Sequence, residues 1–418
     1  MKFPYEVDMK INRTPFLPVI FITLVYSPFL WSQNGSVTDS LLDQTKSDRF
    51  SHRIGMEFRH AYILPAHPFF TENNQDRNPI RHSVSGHFKY SFALPESSLG
   101  NTIFAATYQG IGVSYYHFQN GDELGKPFSA YLFQRSRIAD LAPDLTMDYE
   151  WNFGISAGWR PYDYLTNPNN IIIGSRINAY LNFGLYLNWR TNQRLSFSAG
   201  ADISHFSNGN TEFPNAGLNM TGYKLGVIYG LSSRQEIHRP SVDPRILKFP
   251  RHLSYDLVVF GSWRRKGVDF FGKQVPSPYR YLVVGAYFAP MYHLGYRFRT
   301  GLSVDAIYDG SANVYTEDYI VGTPQPFYQP DWDRQVALGI SARGEYVMPL
   351  FTICFGIGTN VLHKGGDFRG TYQSVALKIK STRNTFIHIG YNLKDFQEPN
   401  YLMLGLGYRF NNQSPSLL

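Results

Sequence analysis

Hydrophobic and polar residues alternate with a period of two over most of the chain between residues 53 and 410. At 147–159 the odd positions are apolar or aromatic, whereas the even positions carry Asp, Glu, Asn, Gly or Ser. The same alternation recurs at 177–189, again with the apolar side chains at odd positions. This pattern predicts β-strands that have one apolar face and one polar face.

Sixteen strands are predicted from this alternation along the chain. They lie at 53–60, 86–93, 103–117, 128–137, 147–160, 174–190, 194–207, 219–231, 253–264, 280–289, 292–308, 334–347, 351–360, 373–381, 385–393 and 401–410.

The apolar faces are long, end in aromatic residues, and are joined by connections that alternate in length. The short connections are predicted at 191–193, 289–291, 348–350 and 381–384, and long ones separate them over most of the chain. Both features are typical of outer-membrane barrels, which have short periplasmic turns, longer outer loops and aromatic girdles. We therefore predict an all-β, antiparallel transmembrane β-barrel. A single barrel of about 16 strands, within a range of 12 to 16, is the first expectation.

One connection breaks the alternation of short and long connections. The Pro-rich segment 232–252 is long but lies on the side of the short turns. It separates strands at 52–231 from further strands at 253–410, which are followed by a tail at 411–418. Two eight-stranded barrels are therefore the alternative to one large barrel.

The N-terminus carries a different signal from the rest of the chain. Lys10 and Arg13 precede an apolar run at 16–31, which prolines interrupt. This arrangement predicts a signal peptide over 1–33, followed by a polar leader over 34–51. A membrane anchor is the alternative, although the prolines make the run a poor spanning helix.

The amino-acid composition fits the prediction of a transmembrane β-barrel. Aromatic residues make up 16% of the chain and Gly occurs 36 times, whereas the mean hydropathy is only −0.28. The formal net charge of +7 is compatible with an anionic lipid surface. The single cysteine, Cys354, lies within a strand pattern and is predicted to be a packing residue. Arg297, Arg299 and Asp305 fall on a polar face and are predicted to line the lumen.

The candidate chemistry lies where the alternation fails. The odd positions from Leu195 to Ile203 are apolar, but the same face continues with His205 and Ser207. Polar groups that face hydrocarbon are costly, so this exception is a candidate active site. The next strand presents Asn219 on the same outward face at about the same height.

These side chains suit nucleophilic catalysis of ester cleavage. His205 is placed to deprotonate Ser207, and Asn219 is placed to accept a hydrogen bond from the other ring nitrogen and so hold the imidazole. The backbone N–H groups of Asn208 and Gly209 follow the serine and are candidate oxyanion donors. The alternative is that the strand leaves the membrane at residue 203 and the polar side chains have no chemical role.

The residues around this site resemble a known family. The run His205-Phe206-Ser207-Asn208, a following Pro-Asn-x-Gly loop and a strand that begins at Asn219 resemble the outer-membrane lipid A 3-O-deacylases, the PagL-like or acyloxyacyl hydrolase family. The resemblance implies an eight-stranded barrel and removal of an ester-linked 3-hydroxyacyl chain from lipid A of lipopolysaccharide. It also implies that His205 and Ser207 are catalytic and that Asn208 lies on the oxyanion side. The acidic residue of the family falls at Asn219, and Glu212 is a possible substitute acid.

The function expected on these grounds is a serine esterase in the outer membrane of a Gram-negative bacterium, with no metal or cofactor. Its expected partners are lipopolysaccharide, outer-membrane lipids and the barrel-assembly machinery, with no nucleic acid. The oligomeric state is left open. A non-catalytic porin-like or lipopolysaccharide-binding barrel is the alternative. A G-x-S-x-G match at 154–158 lies within a predicted strand and is not expected to be a nucleophile elbow.

Overall fold

The computed structural model describes residues 50–95, 98–104, 106–231, 249–270, 273–317, 326–396 and 398–415. The predicted signal peptide lies outside the described residues, as does 232–248 of the predicted Pro-rich connector. Secondary structure in the described part is almost entirely antiparallel β-strand.

The first eight strands close into one barrel, which we call the first barrel. They are β1 (Ser51–Ile63), β2 (His82–Ala93), β3 (Thr107–Phe118), β4 (Gly125–Ala142), β5 (Leu145–Trp159), β6 (Ile177–Arg190), β7 (Leu195–Ser207) and β8 (Leu218–Gly230). Each strand pairs with its neighbour in the chain, and β8 returns to pair with β1. The ladder therefore closes within residues 51–230.

The following strands form a second closed barrel and two small hairpins. They are β9 (Leu253–Arg264), β10 (Gly267–Phe270), β11 (Lys273–Pro276), β12 (Tyr281–His293), β13 (Phe298–Asp309), β14 (Tyr315–Thr316), β15 (Phe327–Tyr328), β16 (Val336–Val347), β17 (Phe351–His363), β18 (Thr371–Lys380), β19 (Thr385–Lys394) and β20 (Glu398–Phe410). In the second barrel, β9 pairs with both β12 and β20. The pairs β10–β11 and β14–β15 lie outside the wall.

The helices are short and lie in the connections. They are the α-helices Leu99–Ile103 and Gly121–Leu124 and the 3₁₀ helices Pro68–Phe70, Trp332–Arg334 and Gly366–Phe368. No helix in the described ranges has the length and apolar character that a membrane span requires.

The fold class and the sixteen wall strands predicted from the sequence are confirmed. The single large barrel is wrong, and the alternative of two eight-stranded barrels is confirmed. The alternation of faces is the same in either arrangement, and only the pairing of β8 with β1 distinguishes them. The turn predicted at 289–291 is also wrong, because β12 continues through Pro290 to His293. Its ladder with β13 is interrupted at Ala289 and Pro290, since proline has no N–H to donate.

The outward faces of both barrels are apolar and exposed. Outward side chains of the first barrel that are at least two-fifths exposed include Met56, Phe58, Phe88, Ile111, Val113, Phe183, Ile203 and Leu225. Those of the second barrel include Leu257, Val259, Leu282, Leu302, Val304, Phe355, Ile357 and Leu406. Apolar surface of this extent is stable only against hydrocarbon, as in a transmembrane barrel.

The lumen of the first barrel is filled by charged and aromatic side chains. The Glu57 carboxylate pairs with Lys89 at 2.8 Å, with Lys224 at 2.9 Å and with Arg59 at 2.8 Å. Glu150 pairs with the same lysines from the opposite wall. Side chains fill the interior of an eight-stranded barrel, and buried charges persist there only when they are paired. The first barrel is therefore a filled cylinder.

The second barrel uses the same arrangement. Asp256 pairs with Lys378 at 2.8 Å and with Arg409 at 2.6 Å, and Glu345 pairs with Arg299 at 3.2 Å. Arg299 and Asp305 thus face the lumen as predicted, with Asp305 paired to Arg343. The prediction for Arg297 is wrong.

Arg297 lies in the turn between β12 and β13, and its guanidinium donates to the Ile103 carbonyl of the first barrel at 2.7 Å. Cys354 is buried in the second barrel, which agrees with a packing role.

The two barrels pack through outward faces near the β16–β17 turn. Trp151 of β5 contacts Phe351 of β17 edge to face, with ring centroids 5.2 Å apart. Leu377 and Met348 complete this apolar contact. The side-chain amide of Gln134 faces outward from β4 and donates to the Met348 sulfur at 2.8 Å. The second barrel therefore covers an outward polar residue that would otherwise face lipid.

Replacing Glu57 with Ala is expected to destabilise the first barrel. The substitution removes the carboxylate that pairs with three buried cations, and breaking a buried pair costs about 3–5 kcal/mol. The measurement is the free energy of unfolding in urea, followed by tryptophan fluorescence in detergent micelles. Glu72→Ala, in an exposed loop, is the control and is expected to change stability by less than about 0.5 kcal/mol. Equal stability of the two variants would contradict this account of the lumen.

Candidate active site

The orientation of His205 and Ser207 follows from the alternation along β7. Asp202 points inward, where it pairs with Arg59 at 2.9 Å, and Phe206 is fully buried in the lumen. Ile203 points outward and is exposed. Successive residues of a strand face opposite sides of the sheet, so His205 and Ser207 share the outward face with Ile203.

Strand pairing brings Asn219 opposite His205. The two residues are register partners in the β7–β8 ladder. Nδ1 of His205 donates to Oδ1 of Asn219 at 2.7 Å. A neutral imidazole that carries its proton on Nδ1 has a free lone pair on Nε2. The pair therefore holds the ring in the tautomer that a general base requires.

Ser207 converges on the same point from the end of β7. A methyl group at Gly217 would lie 3.0 Å from Cε1 of His205 and 3.7 Å from Cβ of Ser207. Both side chains thus approach the Gly217 backbone, which has a positive φ of +74°. Ser207 is 9% exposed, and the structure records no hydrogen bond from its hydroxyl to any described residue. Hydrogen bonds between nucleophile and base commonly tighten only when substrate binds.

One of the two predicted oxyanion donors, the backbone N–H of Asn208, is not free to bind an oxyanion. The backbone N–H of Asn208 donates to Oδ1 of Asn215 at 3.0 Å and is already engaged. The side chain of Asn208 donates one N–H of Nδ2 to the Glu212 carbonyl at 2.9 Å. The amide has a second N–H that can donate to a ligand. The oxyanion role of Gly209 and of the Asn208 side chain stays a prediction.

Glu212 is not placed as the substitute acid. Its carboxylate pairs with Arg280 at 2.5 Å and with Arg265 at 3.7 Å, and both arginines belong to the connection between β9 and β12. The group that contacts the imidazole is Asn219. Glu212 is therefore paired with the arginines of the second barrel and is not the recorded partner of the imidazole.

Two residues of the β7–β8 loop (residues 208–217) were not assigned roles from the sequence. The side chain of Asn215 accepts from the backbone N–H of the residue after Ser207. Gly217 has no side chain that would crowd the imidazole of His205. The connection between β5 and β6 supports this loop, because the Ile172 carbonyl accepts from the Gly217 N–H at 3.1 Å. The residue types at these two positions could have identified their roles. Asn commonly forms hydrogen bonds to the backbone of turns, and Gly commonly adopts a positive φ.

The other sequence signals lie away from this site. Ser156 of the G-x-S-x-G match is within β5, faces inward, and accepts from the Trp159 indole at 2.7 Å. It does not lie on a strand-to-helix turn. Within the described ranges, no group of three His, Cys, Asp or Glu side chains is placed to hold a metal ion.

The fold and the wall-mounted polar site define a transmembrane β-barrel protein whose candidate chemistry faces lipid. Two family models match the sequence: lipid A 3-O-deacylase (PagL) over residues 142–227, and the acyloxyacyl hydrolase C-terminal domain over residues 253–412. Together they match more than half of the chain. The chain belongs to the PagL-like lipid A 3-O-deacylase and acyloxyacyl hydrolase family of outer-membrane β-barrels, a family of ester hydrolases.

Several solved structures are similar to parts of the chain. Neisserial surface protein A is 8% identical and covers 43% of this chain and 96% of its own, with a TM-score of 0.29. The outer-membrane enzyme PagL is 12% identical and covers 42% of this chain and 97% of its own, also with a TM-score of 0.29. The hydrocarbon channel TodX (deltaS2S3 mutant) is 8% identical over 87% of this chain and 91% of its own, with a TM-score of 0.18. No curated protein matches the sequence.

Substituting Ala for Gly217 is expected to disturb the site and its loop. The side chain would meet His205 Cε1 at 3.0 Å, and a non-glycine residue at this φ costs about 1–2 kcal/mol. Amide hydrogen exchange over residues 208–217 is expected to accelerate roughly tenfold, because local opening becomes easier. Gly295→Ala is the matched control, since a methyl group there meets nothing within 4 Å. Unchanged exchange in the Gly217 variant would contradict the close approach.

Proposed function

We propose that this protein is an outer-membrane serine esterase that removes an ester-linked 3-hydroxyacyl chain from lipid A of lipopolysaccharide. The observation that carries the proposal is the 2.7 Å hydrogen bond between His205 and Asn219 on the lipid-facing wall, with Ser207 on the same face. Membership of a family of lipid A deacylases supports this choice of substrate.

In this mechanism Nε2 of His205 takes the proton of the Ser207 hydroxyl as its oxygen attacks the ester carbonyl carbon. The tetrahedral intermediate collapses, the bond to the sugar oxygen breaks, and the imidazolium returns the proton to that oxygen. A water molecule, deprotonated by His205, then hydrolyses the acyl-serine and releases the hydroxy fatty acid. Every proton is therefore carried by the one histidine whose Nδ1 is held by Asn219.

The position of the pair suits an ester at the membrane surface. The β6–β7 connection is short, as periplasmic turns are, so β7 runs outward and ends at Ser207. The acyl esters of a glycolipid lie between its sugar head group and its hydrocarbon chains. A nucleophile at the outer end of a lipid-facing strand therefore meets these esters without extracting the lipid from the membrane.

The filled lumens count against the porin-like alternative. Paired charges and aromatic rings occupy both barrel interiors, as described for Glu57 and Asp256. The replacement of the family acid by Asn219 is the one observation that favours a barrel that binds lipopolysaccharide without hydrolysing it. The first experiment below separates this function from the esterase.

Mass spectra of lipid A test the proposal directly. Cells that express the wild-type protein are expected to lose one hydroxyacyl chain from lipid A, whereas Ser207→Ala and His205→Ala cells retain it, because the nucleophile or the base is absent. Ser204→Ala is the matched control on the same strand, since this serine faces the lumen and bonds to Asn182. Identical spectra from all strains, with the barrels folded, would exclude the esterase and favour the binding function.

Changing Asn219 to Asp is expected to raise kcat. The isosteric carboxylate keeps the hydrogen bond to Nδ1 and stabilises the imidazolium that forms in the transition state. The reverse change in a serine protease lowers kcat by about 10⁴, so a gain of about 10²-fold or more is expected. Initial rates on purified lipid A in detergent micelles measure it. Asn219→Ala is expected to lower kcat, and an equal rate in all three proteins would contradict the pairing of Asn219 with His205.

A further inference from the structure

We propose that the second barrel completes this site, and that Arg265 and Arg280 form a subsite for an anionic phosphate group on the glycolipid. The inference rests on the proposed function for its substrate class. It assigns a role to a part of the chain that supplies none of the three residues proposed for ester cleavage.

The loop that follows Ser207 is held by the second barrel. Nδ2 of Asn210 donates to the Asn400 carbonyl at 3.0 Å, and a methyl group at Gly209 would lie 3.2 Å from Leu402. Leu402 and Asn400 belong to β20. The outer edge of the second barrel therefore contacts the loop that directly follows the proposed nucleophile.

The charges at this contact do not balance. The Glu212 carboxylate is 13% exposed and faces two guanidinium groups, those of Arg265 and Arg280. Arg265 is anchored further by donation from Nε to the Ser277 carbonyl at 2.7 Å. Two cations against one carboxylate leave a net positive charge within this cluster.

Arg280 has the exposure and the chemistry to bind a phosphate. Its side chain is 65% exposed, and that of Arg265 is 35% exposed. A guanidinium has five N–H donors in a planar fork that matches phosphate oxygens, so one carboxylate contact leaves several donors free. Glu212 holds the two forks side by side, which organises them before a ligand arrives.

The subsite lies at the correct place for the head group whose ester Ser207 would attack. Glu212 is tied to Asn208 through the 2.9 Å bond from Nδ2 of Asn208 to its carbonyl, and Asn208 directly follows Ser207. A phosphorylated glycolipid carries its phosphate and its acyl esters on the same sugar unit. One molecule can therefore contact the arginines and the serine together.

The test measures binding rather than hydrolysis, so that it does not depend on catalysis. Full-length protein carrying Ser207→Ala is mixed with phosphatidylcholine vesicles that contain phosphorylated lipid A or enzymatically dephosphorylated lipid A. Affinity for the phosphorylated vesicles is expected to exceed that for the dephosphorylated ones by about tenfold or more. The Arg265→Gln, Arg280→Gln double variant is expected to lose this difference.

Three controls separate a phosphate subsite from a structural brace. Lys364→Gln removes another exposed, paired cation of the second barrel, since Lys364 pairs with Asp333, and it is expected to leave binding unchanged. Glu212→Gln breaks the ion pairs but keeps both arginines, so binding of phosphorylated vesicles is expected to persist. Inorganic phosphate at millimolar concentration is added as a competitor, and weak competition is expected from a site built for a lipid phosphate.

The outcomes distinguish the failure of this inference from the failure of the proposed function. Equal affinity for phosphorylated and dephosphorylated vesicles would overturn the subsite, even if lipid A is hydrolysed. Loss of binding in Glu212→Gln equal to that in the double arginine variant would show that the arginines only brace the loop. Full competition by inorganic phosphate would overturn the glycolipid assignment. A phosphate-dependent affinity with no hydrolysis by the wild-type protein would support the subsite and reject the esterase.

Discussion

Closure of the hydrogen-bonded ladder is the constraint on which this structure depends. In hydrocarbon every backbone N–H and C=O must find a partner within the protein, and a closed barrel is the only sheet that leaves no edge. The chain satisfies this requirement twice, where β8 pairs with β1 and where β20 pairs with β9. Closure determines which face of each strand meets lipid. A polar residue on that face is costly, and it therefore indicates a candidate functional site.

The division of polar and apolar residues between the two faces explains where chemistry can occur. Eight strands enclose a space that side chains fill, and both lumens are occupied by clusters of paired charges around Glu57 and Asp256. Such interiors stabilise the wall but admit no large substrate. Chemistry on a lipid is therefore expected on the outward face near the outer ends of the strands, where His205, Ser207 and Asn219 lie.

The alternation predicted the sixteen wall strands, the outward direction of His205 and the approach of Asn219, because each follows from the two-residue period and antiparallel pairing. The connector at 232–252 indicated two barrels as the alternative, but the periodicity could not decide between one barrel and two, since a pairing between β1 and β8 leaves no trace in it. The partners of Glu212 and the engagement of the Asn208 N–H depend on loop conformation and on contacts between residues far apart in the chain. Pro290 gave a false turn signal because a single missing donor interrupts a ladder without ending the strand.

The amide at position 219 is best understood from its surroundings. An ionised carboxylate on a lipid-facing wall loses most of its hydration, which costs several kcal/mol unless a cation pairs with it. The carboxylate of the β7–β8 loop, Glu212, has two guanidinium groups of the second barrel as partners, whereas the neutral amide of Asn219 needs no such partner. An amide keeps the hydrogen bond to His205 and avoids this cost, but it stabilises the imidazolium less. In the proposed esterase, an amide at this position lowers catalytic power but keeps the lipid-facing wall stable before the substrate arrives.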